Sequence, residues 1–413
     1  MKTASSRDRL FYIDDVRSFA IFLVVILHAS VTYSGLGGWY LIENKSDSLD
    51  PLSMVAFGLF NSFTQAWFMG ILFFFAGFFA ADALARKGGA RFVKDRLLRL
   101  GIPLAGYVLV INPLMMYFLA YPEECRKAGG FFSLYVSRYL GSGMALGSTG
   151  PLWFAETLLG FSLAYAAVMK MLVIFGKGQA DSAVAMGTAV ASNADEPKAP
   201  PSVPVLLGLV ALTALTAFVV RIFYPIGFSW LNLQFCFFPS YIALFVLGIR
   251  ALRGGWFSRI MGKGSVRWFW AALGIGIPGW LALMALGGAL SGHLDGFWGG
   301  LTWQSAGYSL WESFTAIAMS IGLTALFANR KQGAEPEPGQ ESGQGALSAF
   351  FARNSFSVYV FHPVFLIGLT RLSRALSLVP LAKAAVVGIS AFFATILFAE
   401  LVIRRVPFLR KYF

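Results

Sequence analysis

Apolar residues in this chain arrive in long runs separated by short polar stretches. A helix of about 20 residues crosses the ~30 Å hydrocarbon core of a bilayer. Runs of that length fall at about residues 17–35, 54–83, 100–121, 151–174, 204–224, 235–252, 268–290, 306–328, 355–376 and 383–403. They predict an all-α polytopic membrane protein of about ten transmembrane helices, with residues 1–413 forming a single membrane domain. The second run is long enough to tilt or to include an interfacial stretch. Two segments, 176–203 and 329–346, are rich in Ala, Ser, Gly, Pro and Glu and are expected to be disordered loops. No internal repeat of the kind that marks many transporters is apparent.

Composition supports this reading. The chain is 57% hydrophobic and 13% charged, with mean hydropathy +0.68. A soluble domain carries about 25% charged residues, so too few polar side chains remain to cover a wet surface. The net charge of +13 would suit a nucleic-acid partner. However, the basic residues lie in short runs between the apolar stretches, where they set orientation, so no nucleic acid is expected. Assigned loop by loop, 25 of the 33 Lys and Arg residues fall on one side and eight on the other. That asymmetry predicts both termini and both polar loops on the cytoplasmic side. Lys2, Arg7 and Arg9 before an apolar run look like a signal peptide, but the run contains His28 and lacks an A-x-A site. A retained first helix is expected. Cys125 and Cys236 are the only cysteines, too few for a disulfide framework or a CxxC metal motif, and no metal is expected.

Ionisable residues are costly inside a bilayer and point to function. The candidates are His28, Glu156, Glu312 and His362, with Arg17 at the start of the first helix and Asp82 and Glu400 near cytoplasmic ends. His28 follows Arg17 by eleven residues, about 16 Å along a helix. His362 sits nine residues beyond Arg353, so the two histidines share a depth if their helices are neighbours. Glu156 and Glu312 lie nearer the outer face. Each has a plainer reading as well: a lone histidine can bond a neighbouring carbonyl, and a carboxylate can serve packing. The cluster from Arg86 to Arg99 anchors topology in one reading. In the other, Arg96 and Arg99, three apart on one helix face, grip an anionic cofactor's phosphates. No P-loop, HExxH or GxSxG element is present.

Several blocks resemble the acyltransferase 3 family. FYIDDVRSFAIFLVVILHAS (11–30) is similar to its opening, with Arg17 and His28 forming Arg-x10-His. FFFAGFFAADAL (73–84) and FVKDRLLRLGIPL (92–104) resemble its second helix and the basic loop entering the third. GPLWFAETLL (150–159) and SFSVYVFHPVF (355–365) resemble its "LWFL" and "Y-x-x-H-P" helices. The blocks keep the family order across most of the chain. One departure is Ala76, where the family usually has the serine of F-x-x-SGF.

The resemblance implies O-acyl transfer from cytoplasmic acyl-CoA to a hydroxyl, usually of a carbohydrate bound for the cell surface, at a bacterial inner membrane. Acetyl is the usual group, and chain length also resembles the branch that succinylates periplasmic glucans, so acetyl-CoA and succinyl-CoA both stand as donors. With no esterase-like domain among these 413 residues, the membrane unit or a partner is expected to complete the transfer. The chemistry needs a general base, since an alcohol is a weak nucleophile at neutral pH. A neutral imidazole suits that task. His28 is expected as the base, with His362 and Glu312 as orienting or acceptor-binding groups. Arg17, Arg96 and Arg99 are expected to hold the CoA phosphates or orient the site. A transporter or flippase without acyl chemistry is the alternative, in which the buried His and Glu residues are proton or substrate sites.

Overall fold

A computed structural model describes residues 10–127, 129–175, 200–255, 257, 262–332 and 345–413. The described elements are helical, with no β-strand among them. Ten helices are long and apolar enough to cross a membrane: α1 (Phe11–Ser34), α2 (Pro51–Lys87), α3 (Gly89–Ala120), α4 (Gly150–Ile174), α5 (Val203–Phe223), α6 (Phe235–Arg253), α7 (Lys263–Leu286), α8 (Trp303–Arg330), α9 (Ala346–Ala375) and α10 (Pro380–Ile403). They match the ten apolar runs one for one. Most of the two expected loops, 176–199 and 333–344, lies outside the described residues. The flanks are helical: α5 begins at Val203, the eighth helix runs to Gln332, and α9 begins at Ala346.

Burial sorts the helices into two classes. α1, α2, α6, α8 and α9 bury most of their apolar length inside the protein, whereas α4, α5 and α7 bury less than a third. The latter expose large apolar side chains such as Leu215, Phe223, Trp270 and Leu286. Lipid tails accept such surface without cost, so a helix at the rim needs no polar face. The inner set places α1 against α2, α8, α9 and α10. This position brings the first and ninth helices, which carry the two buried-site histidines, into contact.

Helix contacts in a bilayer depend on close backbone approach, because no hydrophobic force drives one apolar helix against another. α2 and α6 show this at two glycines. A Cβ on Gly77 would stand 2.0 Å from the Phe245 carbonyl oxygen, and one on Gly248 would stand 2.0 Å from that of Phe74. The glycine of the A-G-F sequence in α2 is therefore fixed by packing, whereas Ala76 beside it is not. Gly77→Ala should force the two backbones apart and destabilise the bundle by about 1–3 kcal/mol. Thermal unfolding in detergent reads this directly. A variant as stable as the parent would show that the contact is not required.

α3 departs from regular geometry, with π-helical turns at Leu97–Gly101, Tyr107–Ile111 and Met115–Ala120. Pro113 has no N–H for the Leu109 carbonyl four residues back. The Tyr135 hydroxyl donates to that carbonyl at 2.9 Å, and the Tyr139 hydroxyl donates to the neighbouring Val108 carbonyl at 2.6 Å. Burial raises the Tyr139 phenol above its usual range, which keeps it a donor at neutral pH. Cys125 and Cys236 are buried and unpaired.

Candidate active site

His28 on α1 and His362 on α9 meet. Nδ1 of His28 lies 3.0 Å from Nε2 of His362, and the rings are nearly parallel with centroids 5.1 Å apart. Sequence depth allowed this pairing but could not show that the helices are neighbours. His28 stands six residues from the end of α1 at Ser34, so it lies about 9 Å from that end.

The protonation pattern of the pair follows from the backbone. Pro363 lacks an N–H, so the Tyr359 carbonyl four residues back has no helical donor. His362 Nδ1 takes that place, 2.9 Å from the Tyr359 oxygen and 3.2 Å from that of Val358. A neutral imidazole has one N–H and one lone pair. With its proton directed to Tyr359, His362 must accept at Nε2. His28 must then donate from Nδ1, and its Nε2 keeps a bare lone pair. The H-P pair in α9 thus fixes the tautomers of both rings, and it leaves His28 Nε2 able to take a proton.

Trp39, in the loop between α1 and α2, covers this pair. Its ring stacks on His28 at 3.7 Å between centroids, tilted by 15°. An aromatic face so placed stabilises an imidazolium once His28 is protonated. The Trp39 indole N–H is buried and has no hydrogen-bond partner. Adjacent groups hold the loop: the Tyr40 hydroxyl donates to Asn112 Oδ1 at 2.6 Å, the Tyr121 hydroxyl donates to the Tyr40 carbonyl at 2.8 Å, and Arg374 bridges Glu43 at 2.6 Å. Burial raises the Tyr40 phenol above its usual range, so it stays a donor to Asn112 at neutral pH.

A cavity of about 410 Å³ opens toward the other end of α1, lined by Arg17 and Ile21 of α1 and by Ser355, Phe356 and Tyr359 of α9. Its mouth carries five cations, Arg17, Arg86, Lys87, Arg96 and Arg99, against two carboxylates, Asp82 and Asp95. Asp82 pairs with Arg86 at 2.7 Å and Asp95 pairs with Lys87. Arg17 lies 3.5 Å from Asp14, and Arg96 lies over the Phe92 ring at 5.1 Å. The mouth is therefore net positive, with three arginines converging from α1 and α3. Its inner wall is apolar, built from Ile21, Leu72, Phe75, Phe154, Leu158 and Phe356, and Ala76 also lines it. The cavity lies on the face of α1 that carries His28, although His28 itself is not among its lining residues. Eleven residues make almost three full turns at 3.6 per turn, so Arg17 and His28 project from one face of α1. Ile21, on the wall, lies between them on that face.

Glu312 belongs to a different locus. Its carboxylate is ion-paired with Arg221 Nη2, while Arg221 Nη1 donates to Ser309 Oγ at 2.9 Å. Both partners are sequestered, at 0% and 2% side-chain exposure. The rings of Tyr308 and Phe237 lie 5.3 and 5.7 Å from the guanidinium. Arg221 was not among the sequence-derived candidates; it is buried inside the bundle, two residues before the end of α5 at Phe223. The signal was present, since an arginine within an apolar run requires a buried acid. Glu156 has one buried carboxylate oxygen without a partner. Glu400 binds Arg353 at 2.9 Å and Asn354 at 2.6 Å, a brace between α9 and α10. Among the described residues, no group of three or more His, Cys, Asp or Glu side chains has a metal-binding arrangement.

Trp39 and Tyr359 were absent from the sequence-derived candidates. Tyr359 was legible through the Y-x-x-H-P block, but Trp39 in a loop carried no signal. A family model described as an acyltransferase domain matches residues 10–400. Comparisons with curated proteins and with solved structures return no match.

Proposed function

The chain belongs to the acyltransferase 3 family and is a membrane acyltransferase, and from that premise we propose that it moves acetyl or succinyl from cytoplasmic acyl-CoA to a carbohydrate hydroxyl. The acceptor is at the cell surface or in the periplasm, and the membrane is the bacterial inner membrane. The observation that carries this reading is the bare His28 Nε2, left by the Tyr359–His362–His28 chain, whose Tyr359 lines a cationic-mouthed cavity.

In the proposed reaction His28 Nε2 takes the proton of the acceptor hydroxyl as its oxygen attacks the thioester carbonyl. A C–O bond forms, the C–S bond breaks, and the departing CoA thiolate recovers the proton from His28. His362 holds the His28 ring and accepts from its Nδ1–H throughout. The mouth arginines suit the nucleotide phosphates, since guanidinium groups bind phosphate through paired N–H donors. The apolar wall suits the pantetheine arm. Purified protein in nanodiscs, given radiolabelled acetyl-CoA or succinyl-CoA with periplasmic glucan, should label the glucan. Acceptor movement across vesicles with no label transferred would instead mark a flippase.

Arg96→Gln and Arg99→Gln should each raise the KM for acyl-CoA about 10–100-fold, because a lost charge-assisted bond costs ~1.5–3 kcal/mol. The acceptor KM should stay nearly constant. Reduced expression with normal kinetics in the surviving protein would make these arginines topological anchors only.

The charge asymmetry supports a cytoplasmic location for both termini and for 176–203 and 329–346. Single cysteines at Ser182 and Ser342 should resist an impermeant maleimide in intact cells and react after permeabilisation. Background is low because Cys125 and Cys236 are buried. Labelling of intact cells would reverse the topology.

A further inference from the structure

The inner end of the cavity is lined by a tyrosine whose buried hydroxyl the bundle itself does not use. Tyr359 lines the cavity and is 3% exposed, yet its phenolic oxygen makes no hydrogen bond. The Phe154 backbone amide is near it but outside hydrogen-bonding geometry. Buried hydroxyls are normally satisfied, and an orphan calls for an explanation such as a ligand or a water. The other uncharged polar group on the lining, Ser355, is already engaged. Its Oγ donates to the Phe351 carbonyl at 2.8 Å and lies 3.0 Å from Ser18 Oγ. Past the charged mouth, Tyr359 therefore offers the free donor among the described lining residues.

Its position adds to this. The carbonyl of the same residue receives the His362 Nδ1–H, so the phenol and the imidazole chain are built on one turn of α9. On α9 the lining runs Ser355, Phe356, Tyr359, so Tyr359 is the lining residue nearest in sequence to His362. Acetyl and succinyl donors share one polar atom at the acyl end of the pantetheine arm, the thioester carbonyl oxygen.

We propose that the Tyr359 hydroxyl donates a hydrogen bond to the thioester carbonyl oxygen of the bound donor and holds the oxyanion formed when the acceptor attacks. The inference rests on the acyl-CoA reading above. As the C–O bond forms, the carbonyl π electrons move onto oxygen, and Tyr359 stabilises that charge while keeping its own proton. When the carbonyl re-forms and the C–S bond breaks, the thiolate takes the proton held by His28. A phenol, with an ordinary pKa near 10, is a donor at neutral pH. Its contribution is largest in a site closed to water.

Tyr359→Phe removes the oxygen and keeps the ring, whose packing on Phe154 has a centroid separation of 6.3 Å. The variant should fold, as checked by its melting in detergent. Loss of one such donor costs about 10²–10³-fold in kcat, so a drop of at least about a hundredfold is expected, with the Kd for free CoA, which has no acyl carbonyl, unchanged. A kcat within twofold of wild type overturns the proposal, leaving the hydroxyl to hold a water. Unchanged kcat with the KM for acyl-CoA and the Kd for free CoA raised equally also overturns it, because the phenol would then hold the pantetheine arm. Wild-type protein that transfers nothing from either acyl-CoA sinks the donor reading and this inference with it. Active wild type with undiminished Tyr359→Phe sinks this inference alone.

Discussion

His28→Gln is expected to abolish detectable acyl transfer, a loss of about 10²–10⁴-fold in turnover, while the protein still inserts and binds acyl-CoA. Glutamine keeps the size and hydrogen-bonding capacity of the side chain but cannot take a proton at neutral pH. The structure sharpens the comparison, because the Nδ1–H of His28 faces His362 Nε2 at 3.0 Å. A glutamine amide N–H can replace that donor and leave the His362 tautomer in place. His28→Gln therefore removes the bare lone pair with little else disturbed, whereas His28→Ala also opens a void beneath Trp39. If the ring served packing alone, glutamine would retain most activity and alanine would mainly lower abundance. Both variants must be measured at matched protein levels. Substantial turnover in His28→Gln would sink the assignment of His28 as the base.

The second large effect concerns stability. Glu312→Leu alone should destabilise the bundle by about 3–5 kcal/mol, because it leaves Arg221 charged, buried and without its acid. Arg221→Leu should do the same by stranding the Glu312 carboxylate. The double variant Arg221→Leu/Glu312→Leu should recover most of the loss, since two apolar side chains of similar volume need no compensation. A cycle of the four proteins, unfolded thermally in one detergent, measures the coupling. Near-additive losses would contradict a mutually neutralising pair. Transfer activity in the double variant then tests Glu312 as an orienting group: a stable but inactive protein would keep it in that role, and an active one would make the pair structural.

The spans were legible because a transmembrane helix is a one-dimensional property. Length and apolarity of a local run decide it, and no distant residue is needed. The Arg17–His28 relation was legible for the same reason, since both lie on one helix whose pitch sets their spacing and shared face. The cationic grouping of Arg96 and Arg99 was readable as a cluster, although its two readings, anchor or phosphate grip, could not be separated along the chain. Both are compatible with six basic residues between Arg86 and Arg99. The cavity that joins them to Arg17 exists only once the bundle brings the ends of α1 and α3 around one opening.

What the sequence determined by itself is the polytopic all-α architecture, the number of crossings, the family blocks and the short set of ionisable residues that a bilayer makes expensive. What the tertiary structure decided is which of those residues act on each other. His28 and His362 are 334 residues apart, and only the packing of α1 on α9 makes them a pair. Arg221 acquires its partner only because α5 packs on α8 and supplies Glu312. The physical reason is that desolvation and hydrogen bonding depend on three-dimensional neighbours. A charge or ring nitrogen acquires its role from the partner that satisfies it, and local sequence records the partner only where it lies on the same helix, as Pro363 and Tyr359 do for His362.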